Sequence, residues 1–428
     1  MKAAFCALGC KVNQYEADCY AHIFREKGYD IGSFDEKCDV YVVNTCSVTN
    51  TGDKKSRQML RRAKKLNPDA IVVATGCYAQ TKTDDVKNMP EVDLVIGTSR
   101  RYMICELVEA LVHGKDPEAV PDIMKEREYE ELECEGETER TRAYIKIQDG
   151  CDNYCSYCIV PYARGHVRSR KLENIVKEAS RLAQKGFCEV VLTGIAVASY
   201  GKDFDYSVRL SDVVRKVSLI DGIKRVRLSS IDPRAFTKEF IKELSENEKV
   251  CHHFHISLQS GSTSVLKRMN RKYTADEYLA VLENIRNAMP DVSITTDIIC
   301  GFPEETEEEF NESVEFVKKA RFSKVHVFPY SQRTGTVAAD MKQIPIPVRE
   351  ERAKKLSLVA EDVSLSVERE FVGTVQSVLF ETTENGFSEG LTGNYLRVYV
   401  KEDKALDGKI CPVRIEEVRD GRILGTLI

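Results

Sequence analysis

Tryptophan is absent from this 428-residue chain, and no apolar stretch reaches the roughly 20 residues that a membrane span requires. The opening MKAAFCALGC breaks its apolar run at Cys10 and Lys11, too early for the hydrophobic region of a secretory signal. An excess of positive charge is also missing. Lys and Arg number 63 against 68 Asp and Glu, a formal net charge of -5, so bulk composition does not point to nucleic acid, and any such partner must meet local patches. A cytoplasmic protein is the expectation. What the chain does have is cysteine, 15 in all. An odd number, scattered along a chain without an export signal, argues against a disulfide framework and for metal or redox chemistry.

The length suits about three domains of ordinary size. In residues 1–114, AAFCALG, CDVYVVNT, AIVVATG and DLVIG read as strands, and helical patterns occupy 14–28, 49–66, 80–89 and 101–113. Strands alternating with helices predict an α/β fold with a parallel, doubly wound sheet. Residues 115–140, with two prolines and a dense acidic run, read as a linker. Over 141–369 six more strand candidates appear: AYIKIQ, CEVVLTG, KRVRLSS, HFHISL, VSITTDIICG and SKVHVFPY. Helical patterns at 173–186, 237–245, 275–289 and 307–319 separate most of them. That order predicts an open (β/α)6 barrel with its active site at the C-terminal ends of the strands. A helix near 348–370 then leads into a tail, 370–428, whose strand residues alternate with turns such as LDGK and RDGR, a small antiparallel β domain.

QDGCDNYCSYC places Cys151, Cys155 and Cys158 within eight residues, directly after the first predicted barrel strand. Structural zinc usually takes four ligands, often as two C-x2-C arms. Here there is one arm, and the nearest spare ligand is His166. An iron–sulfur cluster held by three thiolates leaves one iron open for a substrate or cofactor. The cluster is the favoured reading, with zinc and plain burial as alternatives; so polar a loop fits burial poorly.

Cys10, Cys46 and Cys77 are far apart in sequence, yet each follows a strand of the predicted N-terminal sheet. Parallel strands point the same way, so the three thiols should emerge at the one edge where open α/β sheets bind ligands. They could hold a second cluster, or simply be buried, cysteine being among the most buried residue types. Cys6, Cys188, Cys251 and Cys300 lie in or beside strands and fit ordinary burial; Cys19, Cys38, Cys105, Cys134 and Cys411 show no ligand spacing.

The C-x3-C-x2-C run, with Tyr157 before its third cysteine, resembles the signature of the radical S-adenosylmethionine superfamily. Together with LGCKVNQYE, VNTCSVT, TGCYAQ, SLQSGS, DIICGFPEET and VFPYSQRTGT, the whole chain resembles the methylthiotransferase family within it. The resemblance implies two [4Fe–4S] clusters, one on Cys151, Cys155 and Cys158 and an auxiliary one on Cys10, Cys46 and Cys77. The open iron of the first would bind the amino and carboxylate groups of S-adenosylmethionine and cleave it reductively to a 5′-deoxyadenosyl radical. A second S-adenosylmethionine would methylate sulfur carried on the auxiliary cluster, and a methylthio group would replace hydrogen at C2 of an adenosine. Such a C–H is neither acidic nor electrophilic, so the cofactor rather than protein acid–base groups must open it. No catalytic side chain is expected beyond the cluster ligands. Tyr157 is expected near the adenine of S-adenosylmethionine, Gly194 near its methionine end, and Gln259 and Gly301 around its ribose and adenine; as strand-end residues these could equally serve the fold alone.

CKVNQYE most resembles the branch acting on tRNA that carries N6-threonylcarbamoyladenosine at position 37. Isopentenyladenosine tRNA and a ribosomal protein are the alternative substrates, and an RNA-binding iron–sulfur protein without turnover is the rival of a different class. A flavodoxin- or ferredoxin-type electron donor is implied. The tail resembles a TRAM domain, an OB-like β-barrel used for RNA, although it holds seven basic residues against ten acidic. RNA phosphates are therefore expected at the basic stretches 54–65, 164–171 and 267–272. Two positions depart from the family pattern: Glu304 stands where glycine is usual, and Ala196 where many members carry a polar residue.

Overall fold

The computed structural model describes residues 1–115, 120–134, 141–384, 386–402 and 405–428. Its N-terminal sheet comprises β1 (Lys2–Ala7), β2 (Asp30–Gly32), β3 (Val40–Thr45), β4 (Ile71–Gly76) and β5 (Leu94–Val95), all parallel, in the order β2-β1-β3-β4-β5. Alternate residues of VYVVNT serve opposite faces, which explains why the whole strand is buried. Val40 and Val42 pack with Tyr20 and Phe24 of the helix Lys11–Glu26 and Val108 of the helix Ile104–Val112. Tyr41 and Val43 pack with Leu60 and Ala63 of the helix Asn50–Leu66. The sheet is doubly wound. The helix expected over 80–89 is two short ones, Cys77–Thr81 and Thr83–Lys87. The Thr83 hydroxyl lies 2.9 Å from the Ala79 carbonyl and caps the first of them.

The acidic stretch expected as a linker is fastened down over its described part, 120–134. Ile123, Leu132 and Cys134 are buried. The Tyr129 hydroxyl donates to the Lys146 carbonyl (2.9 Å), while Glu130 and Glu131 take Arg101 and Arg170, each at 2.7 Å. Glu130, half-buried, and Glu131, still exposed, thus tie the segment to both flanking units. Residues 116–119 and 135–140 of the same stretch lie outside the described residues.

All six expected barrel strands are present. β6 (Arg142–Asp149) carries a short antiparallel neighbour, β7 (Arg168–Ser169), and pairs in parallel with β8 (Glu189–Gly194), which pairs with β9 (Arg225–Leu228). A second parallel set follows: β10 (His253–His255), β11 (Ser293–Cys300) and β12 (Lys324–Pro329). Single bridges, Val226 to Val250 and Ile231 to Ile256, join the two sets into one open barrel. One side of each strand, including Ile145, Leu192, Val226, Phe254 and Ile298, packs on the helices through Ile175, Leu182, Val213, Leu282 and Val317. By the two-residue period of a strand, the other side presents Lys146, Thr193, Arg227, His255 and Asp297 to the interior. The lumen is polar and not a filled hydrophobic core.

The tail is a closed barrel of β13 (Val375–Glu384), β14 (Phe387–Thr392), β15 (Arg397–Lys401), β16 (Ile410–Arg419) and β17 (Arg422–Leu427), in the order β13-β14-β15-β17-β16. Five strands are an odd number, so a closed ring cannot be antiparallel throughout. β15 and β17 are the parallel pair. This barrel docks on the starts of the larger barrel's strands. Arg227 donates to the Gly393 and Thr392 carbonyls (3.1 and 3.2 Å), Arg142 pairs with Glu381 (2.7 Å), and Tyr395 stacks on His253 with centroids 4.4 Å apart. The cysteine loop sits at the other ends of those strands.

Candidate active site

Cys10, Cys46 and Cys77 follow the C-terminal ends of β1, β3 and β4. In this strand order the winding reverses between β1 and β3, and ligands bind at that crevice. Gly9 has φ +90°, and a Cβ there would stand 2.5 Å from the Cys46 sulfur, so only glycine lets the two loops meet. Asn13 ties them by donating to the Leu8 and Thr45 carbonyls at 2.8 and 3.0 Å. Thr45 in turn donates to the Thr75 carbonyl (2.6 Å) and accepts from the Ala79 amide (3.1 Å), which fixes the Cys77 turn. Cys46 and Cys77 are buried and Cys10 is exposed. Burial pushes the Cys46 thiol up to about 12, with the neighbouring Cys77 and Cys10 adding to the rise.

The second triad sits on one loop. Gly150 has φ +73°, and a Cβ would meet the His166 carbonyl oxygen at 1.8 Å. Ser156 is pinned on two sides, its amide donating to the Met269 carbonyl (3.0 Å) and its hydroxyl to the Arg268 carbonyl (2.8 Å). Burial pushes the Cys151 thiol up to about 11 and that of Cys158 to about 12, with Cys155 contributing to both. A cavity of about 570 Å³ opens here, lined by Cys151, Cys155, Tyr157, Cys158, Asp232 and Arg271 among others. Of the residues expected to hold the cofactor, Tyr157 lines this cavity. Gly194 packs close against β6, where a Cβ would stand 2.9 Å from the Gln148 carbonyl. Gln259, at φ +76°, bridges to Ile298 of β11. Gly301, at φ +67°, faces Arg349. The structure therefore joins Tyr157, and not the other three, to the cavity wall.

Between the triads lies a buried ionic cluster. Glu16 accepts from Lys146 (2.8 Å), from Arg164 (2.5 Å) and from Arg101, and Asp149 accepts from Lys146 (2.5 Å) and Arg101 (3.3 Å). Burial alone would raise both carboxyls, but the surrounding cations hold each well below the usual carboxylate range. Arg164, fully buried, also donates through Nε to the Cys77 sulfur at 3.2 Å and through Nη2 to Asn13 at 2.7 Å. Arg333, after β12, makes a second clasp with Ser47 (2.8 Å), Asp53 (2.7 Å) and Asn50 (2.8 Å), on the turn that follows Cys46. Removing one partner from such a buried cluster costs on the order of 3–5 kcal/mol.

A family model described as the Radical SAM superfamily matches residues 145–317, and one described as Uncharacterized protein family UPF0004 matches 2–97. A Bacillus subtilis protein named threonylcarbamoyladenosine tRNA methylthiotransferase MtaB is 44% identical, over 96% of this chain and 93% of its own. The chain belongs to the methylthiotransferase family of radical S-adenosylmethionine enzymes. A member from Pelotomaculum thermopropionicum, named tRNA-2-methylthio-N(6)-dimethylallyladenosine synthase, is 36% identical over 98% of this chain and 96% of its own. Among solved structures, the radical S-adenosylmethionine methyltransferase TsrM from Kitasatospora setae aligns with a TM-score of 0.57, at 15% identity, covering 90% of this chain and 81% of its own. That likeness speaks for the fold alone.

Membership in this radical S-adenosylmethionine family brings a [4Fe–4S] cluster and S-adenosylmethionine as cofactors, and the donor set fits a cluster. Each triad has a buried arginine aimed at one sulfur: Arg164 at Cys77 (3.2 Å) and Arg271 at Cys155 (3.5 Å). Cationic donors suit thiolate ligands and the sulfur of a cluster. Among the described residues no three His, Cys, Asp or Glu side chains gather to grip a single ion.

In two expected phosphate-binding stretches the arginines are committed within the protein, while Lys171, Lys267 and Lys272 stay exposed. In 164–171 the three arginines turn inward, Arg164 and Arg168 to the ionic cluster and Arg170 to Glu178 and Glu131. In 267–272 Arg268 pairs with Glu309 and Arg271 enters the cavity wall, so neither is spare for RNA. Over 54–65 the helix faces solvent, yet Arg57 bonds the Tyr78 hydroxyl (3.0 Å) and Arg61, Arg62 and Lys64 pair with Glu91, Asp35 and Asp93. Exposed Lys54, Lys55 and Lys65 lie beyond these pairs. Sequence reasoning missed Arg164, Arg271, Arg333 and Asp232 as parts of the site. Their motifs were visible, but Arg164 meets Cys77, Arg271 meets Cys155 and Asp232, and Arg333 meets Ser47 and Asp53, partners that lie 39 to 286 positions away.

Proposed function

We propose that this enzyme adds a methylthio group to C2 of N6-threonylcarbamoyladenosine at position 37 of tRNA. The observation that carries the reading is a cysteine triad in each of two units, with Arg164 and Arg333 bonding across the boundary between them. The name of the Bacillus subtilis relative supports the choice of nucleoside. Cys151, Cys155 and Cys158 would hold the cluster whose open iron takes S-adenosylmethionine, and Cys10, Cys46 and Cys77 a second [4Fe–4S] cluster. When bound, these groups supply the radical and the sulfur that an unactivated aromatic C–H demands.

The chain's own residues bind, orient and exclude water. Tyr157 walls the cavity, while Gly194, Gln259 and Gly301 hold close backbone contacts at the strand ends. Lumen groups such as His255 and Asp297, hydrogen-bonded at 3.0 Å, suit a polar hypermodified base rather than a greasy one. A nucleotide must leave its stack to reach them, which is least costly in a single-stranded anticodon loop. Working boundaries are 1–114 for the auxiliary-cluster domain, 115–140 for the strap, 141–369 for the radical core and 370–428 for a TRAM-like domain. A flavodoxin- or ferredoxin-type donor would supply the electron, in the cytoplasm.

The test is nucleoside mass spectrometry of tRNA from cells with and without the gene, paired with reconstituted enzyme on defined tRNAs. Threonylcarbamoyl tRNA should gain the C2-methylthio group, and tRNA lacking that modification should react poorly. A site built for the threonylcarbamoyl group leaves polar groups unpaired against other adenosines, at about 1–3 kcal/mol each. Equal or better reaction of isopentenyl tRNA would instead favour the activity named for the Pelotomaculum relative. No release of 5′-deoxyadenosine would leave a non-catalytic RNA-binding protein.

A further inference from the structure

We infer that Arg164 tunes the N-terminal cluster electronically from across the domain boundary, its buried guanidinium donating a hydrogen bond to the Cys77 sulfur. The inference rests on the proposed ligand set Cys10, Cys46 and Cys77. Arg164 belongs to the other unit: it ends the short helix Val160–Arg164, which begins two residues after Cys158. From there it spans the interface to Cys77 at 3.2 Å, Asn13 at 2.7 Å and Glu16 at 2.5 Å. It is fully buried, so no water competes for these bonds.

The charge of its surroundings is the second observation. Four cations, Arg101, Lys146, Arg164 and Arg168, meet three carboxylates, Glu16, Asp149 and Glu130. One positive charge is in excess where burial makes an uncompensated charge costly. The Cys77 sulfur, 3.2 Å from Arg164, is a further anion-forming group that these cations touch. A thiolate-ligated cluster at Cys77 would supply the missing negative charge. A cation and an N–H donor on a ligating sulfur favour the more reduced, more negative state of a cluster and so raise its potential. Arg271 makes the corresponding contact to Cys155 from within the barrel's own unit, at 3.5 Å. Arg164 differs in joining the two units, so it is a positioning residue as well as a tuner: the segment that carries Cys158 also grips Cys77.

The experiment uses the full chain with Cys151, Cys155 and Cys158 changed to Ala, so that only the N-terminal cluster is loaded under anaerobic reconstitution. Iron content and an EPR-monitored redox titration are then compared with and without Arg164→Gln. The expected result is a reduced-to-oxidised ratio about tenfold lower at fixed potential in Arg164→Gln, a midpoint about 59 mV lower for one electron. Arg164→Lys, which keeps the charge, should recover part of that shift. An unchanged midpoint at full iron content overturns the inference and leaves the ligand set standing; a parent that takes up no iron and sulfide overturns both. A measurement without any Arg164 variant covers the case in which Arg164→Gln does not fold. Parent protein unfolded and reconstituted in D2O should lose, by ENDOR, one proton signal coupled to the reduced cluster that protein prepared in H2O shows. Absence of that exchangeable proton also overturns the inference.

Discussion

Cys151, Cys155 and Cys158 occupy a single loop of eight residues, whereas Cys10, Cys46 and Cys77 are spread over the first 77 and meet only because three parallel strands end at one edge. The loop triad is held through one residue, Ser156, whose amide and hydroxyl donate to the neighbouring 268–269 carbonyls, and Arg164, Arg168 and Arg170 beyond it face inward. The strand-end triad is held by side chains of its own motifs, Asn13 and Thr45, and the helix leaving Cys46 keeps lysines in solvent. A local motif announces its ligands by spacing. A distributed one announces them by position in a fold, so it becomes legible only after the strands are assigned.

The sharpest way to break this comparison is to delete each triad separately. Wild-type enzyme, reconstituted anaerobically, should carry about eight irons per chain, as two four-iron clusters imply. Changing either set of three cysteines to Ala should leave about four. Only loss of Cys151, Cys155 and Cys158 should abolish 5′-deoxyadenosine release. Loss of Cys10, Cys46 and Cys77 should leave that cleavage measurable while methylthiolation vanishes. A zinc-containing, sulfide-free product from either variant would remove the parallel between the triads.

Glycines give a subtler break, because each triad depends on one. Gly150→Ala drives a Cβ to 1.8 Å from a backbone oxygen, and Gly9→Ala drives one to 2.5 Å from the Cys46 sulfur, both at positive φ. The backbone conformation alone costs about 1–3 kcal/mol for a non-glycine residue. Iron analysis should find Gly150→Ala short of the loop cluster and Gly9→Ala short of the strand-end cluster, each near four irons per chain. Loss of both clusters from either variant would mean that the two sites fold as one.

Much of this was legible beforehand. All six barrel strands and the long helices, such as Ala275–Ala288 and Glu307–Ala320, follow the hydrophobic period closely. The fate of basic residues did not. RGHVRSRK and KKSRQMLRRAKK look alike in composition, but the second lies on a helix whose Leu60 and Ala63 face inward and whose lysines face out. The first straddles a short helix and the two-residue strand β7, against Glu16, Asp149 and Glu178. Periodicity shows which face is apolar, but not which carboxylate waits across an interface. The acidic strap is the mirror case: its charge suggested solvent, yet Glu130 and Glu131 meet arginines. Glu304 also shows its reason only in three dimensions, sitting at φ +63° where glycine would be unstrained.

Before loading, the triads should behave alike toward pH. Burial raises the thiols of Cys46 and Cys158 to about 12 and of Cys151 to about 11. In the unfolded chain thiols ionise near 8.5. A raised folded-state value means stability that is complete below the unfolded value and is lost as pH rises toward the folded one. The apoprotein's melting temperature should therefore fall from about pH 8.5 upward, each of these thiols contributing up to about 1.4 kcal/mol per pH unit. Loading should ease that slope, since ligating sulfurs carry no proton. Cys105 and Cys251, also pushed up to about 12, keep a residual dependence in both forms. Identical slopes with and without iron would detach these thiols from the clusters.

The smallest expected effect concerns the helix that leaves the strand-end triad. Lys54, Lys55 and Lys65 are exposed on the helix Asn50–Leu66, whereas Arg57, Arg61, Arg62 and Lys64 of the same helix already have partners within the protein. A cation committed to a carboxylate adds little to phosphate binding, because the pair must first be broken; a free one releases counterions directly. Replacing the three lysines by Ala should weaken tRNA affinity and reduce the log–log salt slope by up to about three units, roughly one per phosphate contact. Replacing Arg57, Arg61 and Arg62 instead should change the slope less. Cleavage of S-adenosylmethionine without tRNA should be untouched in both variants, since none of the six lines the cofactor cavity. Equal slopes for the wild type and the lysine variant would make this helix a solvated face, and the two triads would then differ in how their cysteines are gathered but not in their approach to RNA.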